Sequence, residues 1–236
     1  DNLAGVGARF TDAWANPTCS PTRAALFTGN YGFRTGVGKP LGRDDALPLE
    51  LDYTTLPEAL SEAGYSTGLF GKWHLGENEV PSDFEDDAEW HEYAGETFAH
   101  ELNPISQGFD VFRGTLGGEL DHSGTDYGYV DWVSLEATYC EDCEQTCTVD
   151  VVHQNDYATA RTVDDALTWI ETQERPWIAT MAFHAVHSPL EATYTGCNYR
   201  AEDAEAPTDA SEAASDSADQ GKANQSGSRR SRGGNK

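Results

Sequence analysis

The sequence predicts an α/β fold with a mostly parallel sheet flanked by helices. Three observations carry that expectation. Helical stretches alternate with short apolar runs: "TLPEALSEA" (55–63) precedes "YSTGLFGKWHLG", and "NDYATARTVDDALTWIE" (155–171) precedes "RPWIATMAFHAVHSPL". Both apolar runs leave into polar loops that carry glycine or histidine. The chain has 236 residues, enough for one sizeable core or part of a larger one. In open sheets of this kind ligands bind outside the carboxyl ends of the strands. "GKWHLG" and "HAVHSPL" both fall at such ends, so a site is expected where they meet.

Taken in order, 20–29 reads as a helix: Ser20 can cap it, Pro21 suits its first turn, and Ala24, Ala25, Leu26 and Phe27 continue it. Residues 55–63 form a short amphipathic helix with Pro57 early and Gly64 as its stop. "YSTGLFGKWHLG" is a strand running into a Gly-bounded loop. Residues 77–106 are acidic, aromatic and aperiodic, and 135–150 hold a cysteine-rich acidic run; both are expected to be insertions or loops. "GFDVFRGTLGG" (108–118) reads as a strand and turn with no assigned role. Residues 155–171 are a helix, and 176–190 a buried strand ending in a polar loop. After about residue 199 the composition changes. "AEDAEAPTDASEAASDSADQ" and "GKANQSGSRRSRGGNK" lack large apolar residues and cannot offset chain entropy by burial. The expected division is a folded unit over 1–199 and a disordered tail over 200–236. The opening "DNLAGVGARF" reads as the middle of a domain, so the chain is expected to be truncated at its amino end.

The formal net charge is −26. Such a surface repels nucleic-acid phosphates and anionic membranes, so no nucleic-acid partner is expected. No apolar run is long enough to span a bilayer. An anionic ligand would need local positive charge. The cysteines are Cys19, Cys140, Cys143, Cys147 and Cys197. The last four are an even set, compatible with disulfides and an oxidising compartment. "CEDCEQTC" lacks a second matched pair for zinc, and Glu141, Asp142 and Glu144 would repel clustered thiolates. A disulfide-bearing surface insertion is favoured, with its pairing open.

Chemistry concentrates elsewhere. Cys19, at a helix start, faces unsatisfied N–H groups and the positive end of the helix dipole, which together suit an anion. Arg23 lies one turn on, and its donor fork suits a tetrahedral oxyanion. Lys72 and His74, two apart on an extended segment, should point the same way. Lys72 can compensate charge and His74 can move a proton near neutral pH.

"CSPTR" followed by "AALFTG", then "GKWHLG", then the His-x-Pro of "FHAVHSPL", occur here in that order. Together they resemble the type I, formylglycine-dependent sulfatases of the alkaline-phosphatase-like superfamily, as an amino-terminal portion truncated at both ends. Thr22 stands where that family more often has serine, and Asn30 where arginine is commoner. The resemblance implies a partial sulfatase catalytic domain that cleaves a sulfate ester of a small molecule or carbohydrate. It implies that a formylglycine-generating enzyme oxidises Cys19 to formylglycine. One hydroxyl of the hydrated aldehyde would attack sulfur, and the other would expel sulfate by collapse to the aldehyde. Arg23 and Lys72 would hold charge. His74 would contact the formylglycine hydroxyls, and His187 would protonate the leaving alcohol or hold the sulfate. His184, offset by three, would pack or face solvent, and His122 would sit in a surface loop. Calcium or another divalent cation is also implied, with residue 19 as formylglycine among its ligands. The other ligands, an Asp-Asp pair ahead of the cysteine and an Asp-Asn pair after the last histidine, are not in this sequence. Asp44-Asp45 and Asp164-Asp165 are expected to be solvated. The resemblance and the spare cysteines point to a periplasmic or extracellular location. Two rival readings follow from the same residues: a phosphonate or phosphodiester hydrolase of that superfamily, and a non-catalytic truncated remnant that binds an anion.

Overall fold

The computed structural model describes residues 2–41, 47–76, 89, 91–94, 102–118, 120, 129–140 and 148–187. Its helices are α1 (Asn2–Val6), α2 (Cys19–Thr28), α3 (Gly32–Thr35), α4 (Leu56–Glu62) and α5 (Ala158–Ile170). Its strands are β1 (Ser66–Lys72), β2 (Val111–Thr115), β3 (Trp132–Thr138), β4 (Thr148–Gln154) and β5 (Trp177–Ala182).

The strands form one sheet in the order β4-β3-β2-β1-β5. β1 runs parallel to both β2 and β5, with Lys72 opposite Thr115 and Gly71 opposite Ala182. β2 pairs antiparallel with β3, and β3 antiparallel with β4. The sheet is therefore mixed: its parallel half agrees with the expected topology, and its other half is an antiparallel extension. Residues 135–150, expected to be loops, are sheet at both ends, since β3 runs to Thr138 and β4 begins at Thr148. Val149 and Val151 alternate along β4 and pack on the core, which gives that strand a buried side.

β1 is buried along its whole length, so its alternating side chains enter two cores. On one face Leu69 joins Ala24 and Phe27 of α2, Trp73, Phe109 and Phe112. The rings of Phe27, Trp73 and Phe109 pack mutually, with centroids 5.8, 5.7 and 6.3 Å apart. On the other face Phe70 meets Ala166 and Trp169 of α5, with the Phe70 and Trp169 rings 5.6 Å apart. The buried residues of α5 (Ala158, Thr162, Asp165, Ala166, Trp169) recur at helical spacing, as its sequence requires. Two glycines let the strands close up. A Cβ on Gly114 would lie 1.9 Å from the Gly71 carbonyl oxygen, and one on Gly71 would lie 2.3 Å from that of Ala182.

Three further expectations change. β5 is not a fully buried strand: among the described residues it pairs on one side only, and Trp177 and Met181 remain 44% and 46% exposed. Asp165 is not solvated, although Asp164 is exposed. Asp165 is buried and accepts from Arg161 Nε at 3.0 Å, with Arg113 Nη1 at 3.5 Å, so that it ties α5 to β2. The cap of α2 is Thr18, not Ser20. Ser20 Oγ instead accepts the Leu41 amide at 3.1 Å and pins the loop after α3. Asp44-Asp45, His122, most of 77–106 and the tail from 200 lie outside the described residues.

Candidate active site

Because β1, β2 and β5 are parallel, their carboxyl ends share one edge of the sheet. That edge presents Lys72, Thr115 and, just beyond β5, His184. α2 is set against it by the Phe27–Trp73–Phe109 packing, which brings its first residue, Cys19, to the same edge. No side chain of α2 caps its N-terminus and no acidic residue lies in its first turn. The dipole there is left uncompensated.

Cys19 is half-buried, and its Sγ lies 3.2 Å from His74 Nδ1. His74 Nε2 lies 2.7 Å from the Leu41 carbonyl oxygen, which can only accept. Nε2 therefore donates there, and Nδ1 and Sγ share a proton between them, Nδ1 accepting from the thiol or donating to the thiolate. The hydrogen bond that His74 gives the thiolate form is the main cause that lowers the Cys19 thiol from 9.0 to about 6; burial opposes it, and the Lys72 charge assists it. Arg23 Nη1 donates to the Lys72 carbonyl oxygen at 2.6 Å, linking α2 to the end of β1. Burial lowers the Arg23 pKa and the neighbouring Cys19 raises it, and the guanidinium remains charged. Lys72 is buried and its Nζ donates to the Gly118 carbonyl oxygen.

Lys72 and His74 do reach one place, but not by strand alternation. The extended backbone ends at Lys72, and His74 has φ 54°, in the left-handed region that a non-glycine residue seldom adopts. The end of β2 and the turn after it support that conformation. Trp73 and His74 donate their amides to the Thr115 and Leu116 carbonyl oxygens at 2.9 and 3.0 Å.

The histidine expected only to pack or to face solvent, His184, is buried with the cluster. Its Nε2 lies 2.7 Å from Thr115 Oγ1. Burial first, then the charges of Lys72 and Arg23, push its pKa down to about 3, so it is neutral at physiological pH. His187 is exposed, and its amide donates to the His184 carbonyl oxygen at 2.8 Å. Its own carbonyl accepts from the Tyr129 hydroxyl at 3.1 Å. The structure thus unites Cys19, Arg23, Lys72 and His74, adds His184 and Thr115, and leaves His187 at the rim. The signal for His184 was present: a histidine two residues past an apolar run lies at a strand's carboxyl end.

A calcium ion needs several hard oxygen donors. The charged groups that act on Cys19 are Lys72 and His74, and the described residues contain no group of three or more His, Cys, Asp or Glu placed to hold a metal. These residues do not fit a calcium site. Residue 19 does fit conversion to an aldehyde hydrate. It is only half-buried, stands at a helix N-terminus, and has a ring nitrogen and two cationic side chains beside it. Cys140 is disulfide-bonded, in accord with the expected use of the spare cysteines.

The sulfatase family model matches residues 1–230, so this chain belongs to the sulfatase family, of alkaline-phosphatase-like fold. Mouse arylsulfatase J is 30% identical over 207 residues, covering 81% of this chain and 29% of that protein. Human arylsulfatase G is 49% identical over 77 residues, 32% of this chain and 15% of that protein, and bovine arylsulfatase A is 38% identical over 109 residues, covering 44% and 21%. The chain thus spans less than a third of these relatives' length. Among solved structures, a protein of a Bacteroides thetaiotaomicron glycosaminoglycan-metabolism locus has a TM-score of 0.53 at 18% identity, covering 77% of this chain and 35% of its own. The yidJ protein of Bacteroides fragilis, described as a sulfatase, has a TM-score of 0.52 at 20% identity, covering 79% and 38%. These likenesses establish the fold. Among the described residues no helix is long and apolar enough to cross a membrane.

Proposed function

We propose that the whole protein carrying this chain is a sulfuric ester hydrolase that cleaves the sulfate ester of a small molecule or carbohydrate. The observation that carries this reading is the placing of Cys19 at the first residue of α2, 3.2 Å from His74 Nδ1 and beside Arg23 and Lys72. Residue 19 is the substrate of a formylglycine-generating enzyme, and the hydrated aldehyde supplies the nucleophile. Lys72 and Arg23 offset the charge of the sulfate group, and Arg23 also fixes the end of β1 through the Lys72 carbonyl. His74 takes or returns a proton at residue 19 through Nδ1, while the Leu41 carbonyl holds its tautomer. His187, at the rim, protonates the leaving alcohol, because an alkoxide leaves poorly without a proton. A divalent cation, calcium by family habit, would draw its carboxylates from outside the described residues. The disulfide at Cys140 supports a periplasmic or extracellular location.

The test has two parts. The full-length protein is co-expressed with a formylglycine-generating enzyme, and the peptide holding residue 19 is read by mass spectrometry for thiol-to-aldehyde conversion. Hydrolysis of an aryl sulfate is then compared with that of an aryl phosphodiester and an aryl phosphonate. Conversion with preferred sulfate hydrolysis supports the reading. Preferred phosphodiester or phosphonate hydrolysis replaces it with the rival hydrolase of the same superfamily. An unconverted Cys19 with no turnover leaves a remnant that binds an anion.

A further inference from the structure

The end of β2 and the turn after it contain no side chain that the proposed reaction uses, yet they touch three residues of the site. Thr115 Oγ1 lies 2.7 Å from His184 Nε2, the Leu116 carbonyl accepts the His74 amide, and the Gly118 carbonyl accepts from Lys72 Nζ. Gly118 does one thing more. A Cβ built there would lie 2.7 Å from Cε1 and 2.8 Å from Nε2 of His74, closer than real side-chain carbons approach. Its φ is not in the left-handed region, so the glycine is not required for backbone freedom. It is required for space.

The crowded ring cannot yield without consequence. It is held at both nitrogens, by Cys19 Sγ at 3.2 Å and the Leu41 carbonyl at 2.7 Å, on a backbone at φ 54°. The turn is held in its place by Lys72. An added methyl group must therefore push the imidazole away from residue 19 or the turn away from Lys72. We infer that Gly118 is a positioning residue, which acts by leaving open the space that lets His74 lie against residue 19. The inference rests on the sulfatase reading for its effect on rate, but not for its effect on packing.

The test is a double-mutant cycle on the full-length protein between Gly118→Ala and His74→Ala, read by thermal unfolding and by kinetics. Removing the ring removes what the new methyl would strike. Gly118→Ala should lower Tm by about 4 °C in the parent background, and by less than about 1 °C in the His74→Ala background. His74→Asn, which is shorter and polar, serves as a second background should His74→Ala not fold. An equal fall in both backgrounds, or no fall in either, overturns the inference. In kinetics with an aryl sulfate, Gly118→Ala should lower kcat on the order of 10-fold or more, with KM changed less than about 2-fold. It should add nothing to the loss caused by His74→Ala. An unchanged kcat beside a coupled Tm makes Gly118 a packing residue only and also overturns the inference. If the parent shows no sulfate hydrolysis, the functional reading fails by itself, and the Tm cycle still decides whether Gly118 sets the His74 ring.

Discussion

At Cys19 one contact dominates the chemistry. The His74 Nδ1 hydrogen bond outweighs burial, and with the Lys72 charge it brings the thiol to about 6. The sign follows from which form is favoured: the thiolate is stabilised, so it dominates above pH 6 instead of only above 9.0. In protein made without conversion of residue 19, alkylation of Cys19 by iodoacetamide should rise through a midpoint near pH 6. His74→Ala should move that midpoint up towards 9.0, because the largest favourable cause is gone while burial remains. A midpoint near 9.0 in the parent would mean that the Cys19–His74 contact does not form in solution. His184 responds in the opposite sense to its surroundings: it is a base, so burial and neighbouring cations keep it neutral and leave a ring that can bind Thr115 without adding charge. Spacing alone could not place it. An offset of three from His187 means opposite faces only while the chain stays extended, and β5 ends at Ala182.

At the scale of elements, local signals were legible where one short stretch contained the whole cause. Thr55, Pro57 and Glu58 specify the start of α4. The helix begins with the Thr55 and Glu58 capping box, in which the Glu58 amide donates to Thr55 Oγ1 at 3.3 Å and the Thr55 amide to Glu58 Oε2 at 2.7 Å. The Thr55 hydroxyl is buried and also lies 2.7 Å from the Gln107 carbonyl, so it joins α4 to the turn before β2. Thr55→Ala should cost about 1–2 kcal/mol in urea unfolding, at the upper end for a cap because a second partner is lost. A cost within about 0.3 kcal/mol would mean that water replaces both bonds. The core strand β1 and the amphipathic α5 were legible for the same reason, since their burial follows from their own periodicity. β3 and β4 were not, because each draws its meaning from a neighbour. "WVSLEAT" is buried at most positions only because β2 and β4 flank it, and "TVDVVHQ" follows a cysteine-rich acidic run that reads as loop. The exposure of β5 is likewise a matter of sheet order, which no single stretch encodes.

For the molecule as a whole, two fields of opposite sign act on an incoming anion. The formal charge of −26 makes the distant field repulsive. Arg23 and Lys72, gathered at the ends of α2 and β1, make the near field attractive. Salt separates them by range. The Debye length falls from about 30 Å at 0.01 M to about 8 Å at 0.15 M, so added salt removes repulsion from far carboxylates while leaving the buried Lys72 and the half-buried Arg23, a few ångströms away, less screened. Cys19 reports the balance directly, since iodoacetate carries a negative charge that iodoacetamide lacks and both alkylate the same thiolate. At constant pH the iodoacetate rate, divided by the iodoacetamide rate, should rise about 2-fold or more as NaCl goes from about 0.01 to 0.15 M. Dividing the two rates cancels any effect of salt on the thiol itself. Arg23→Gln and Lys72→Gln should each lower the ratio at every salt concentration while keeping its upward slope, because they remove the near field and not the distant one. A ratio that falls with salt in the parent would show that the cations at the site govern approach even at long range, and that the acidic surface is placed too far away to oppose an anionic substrate.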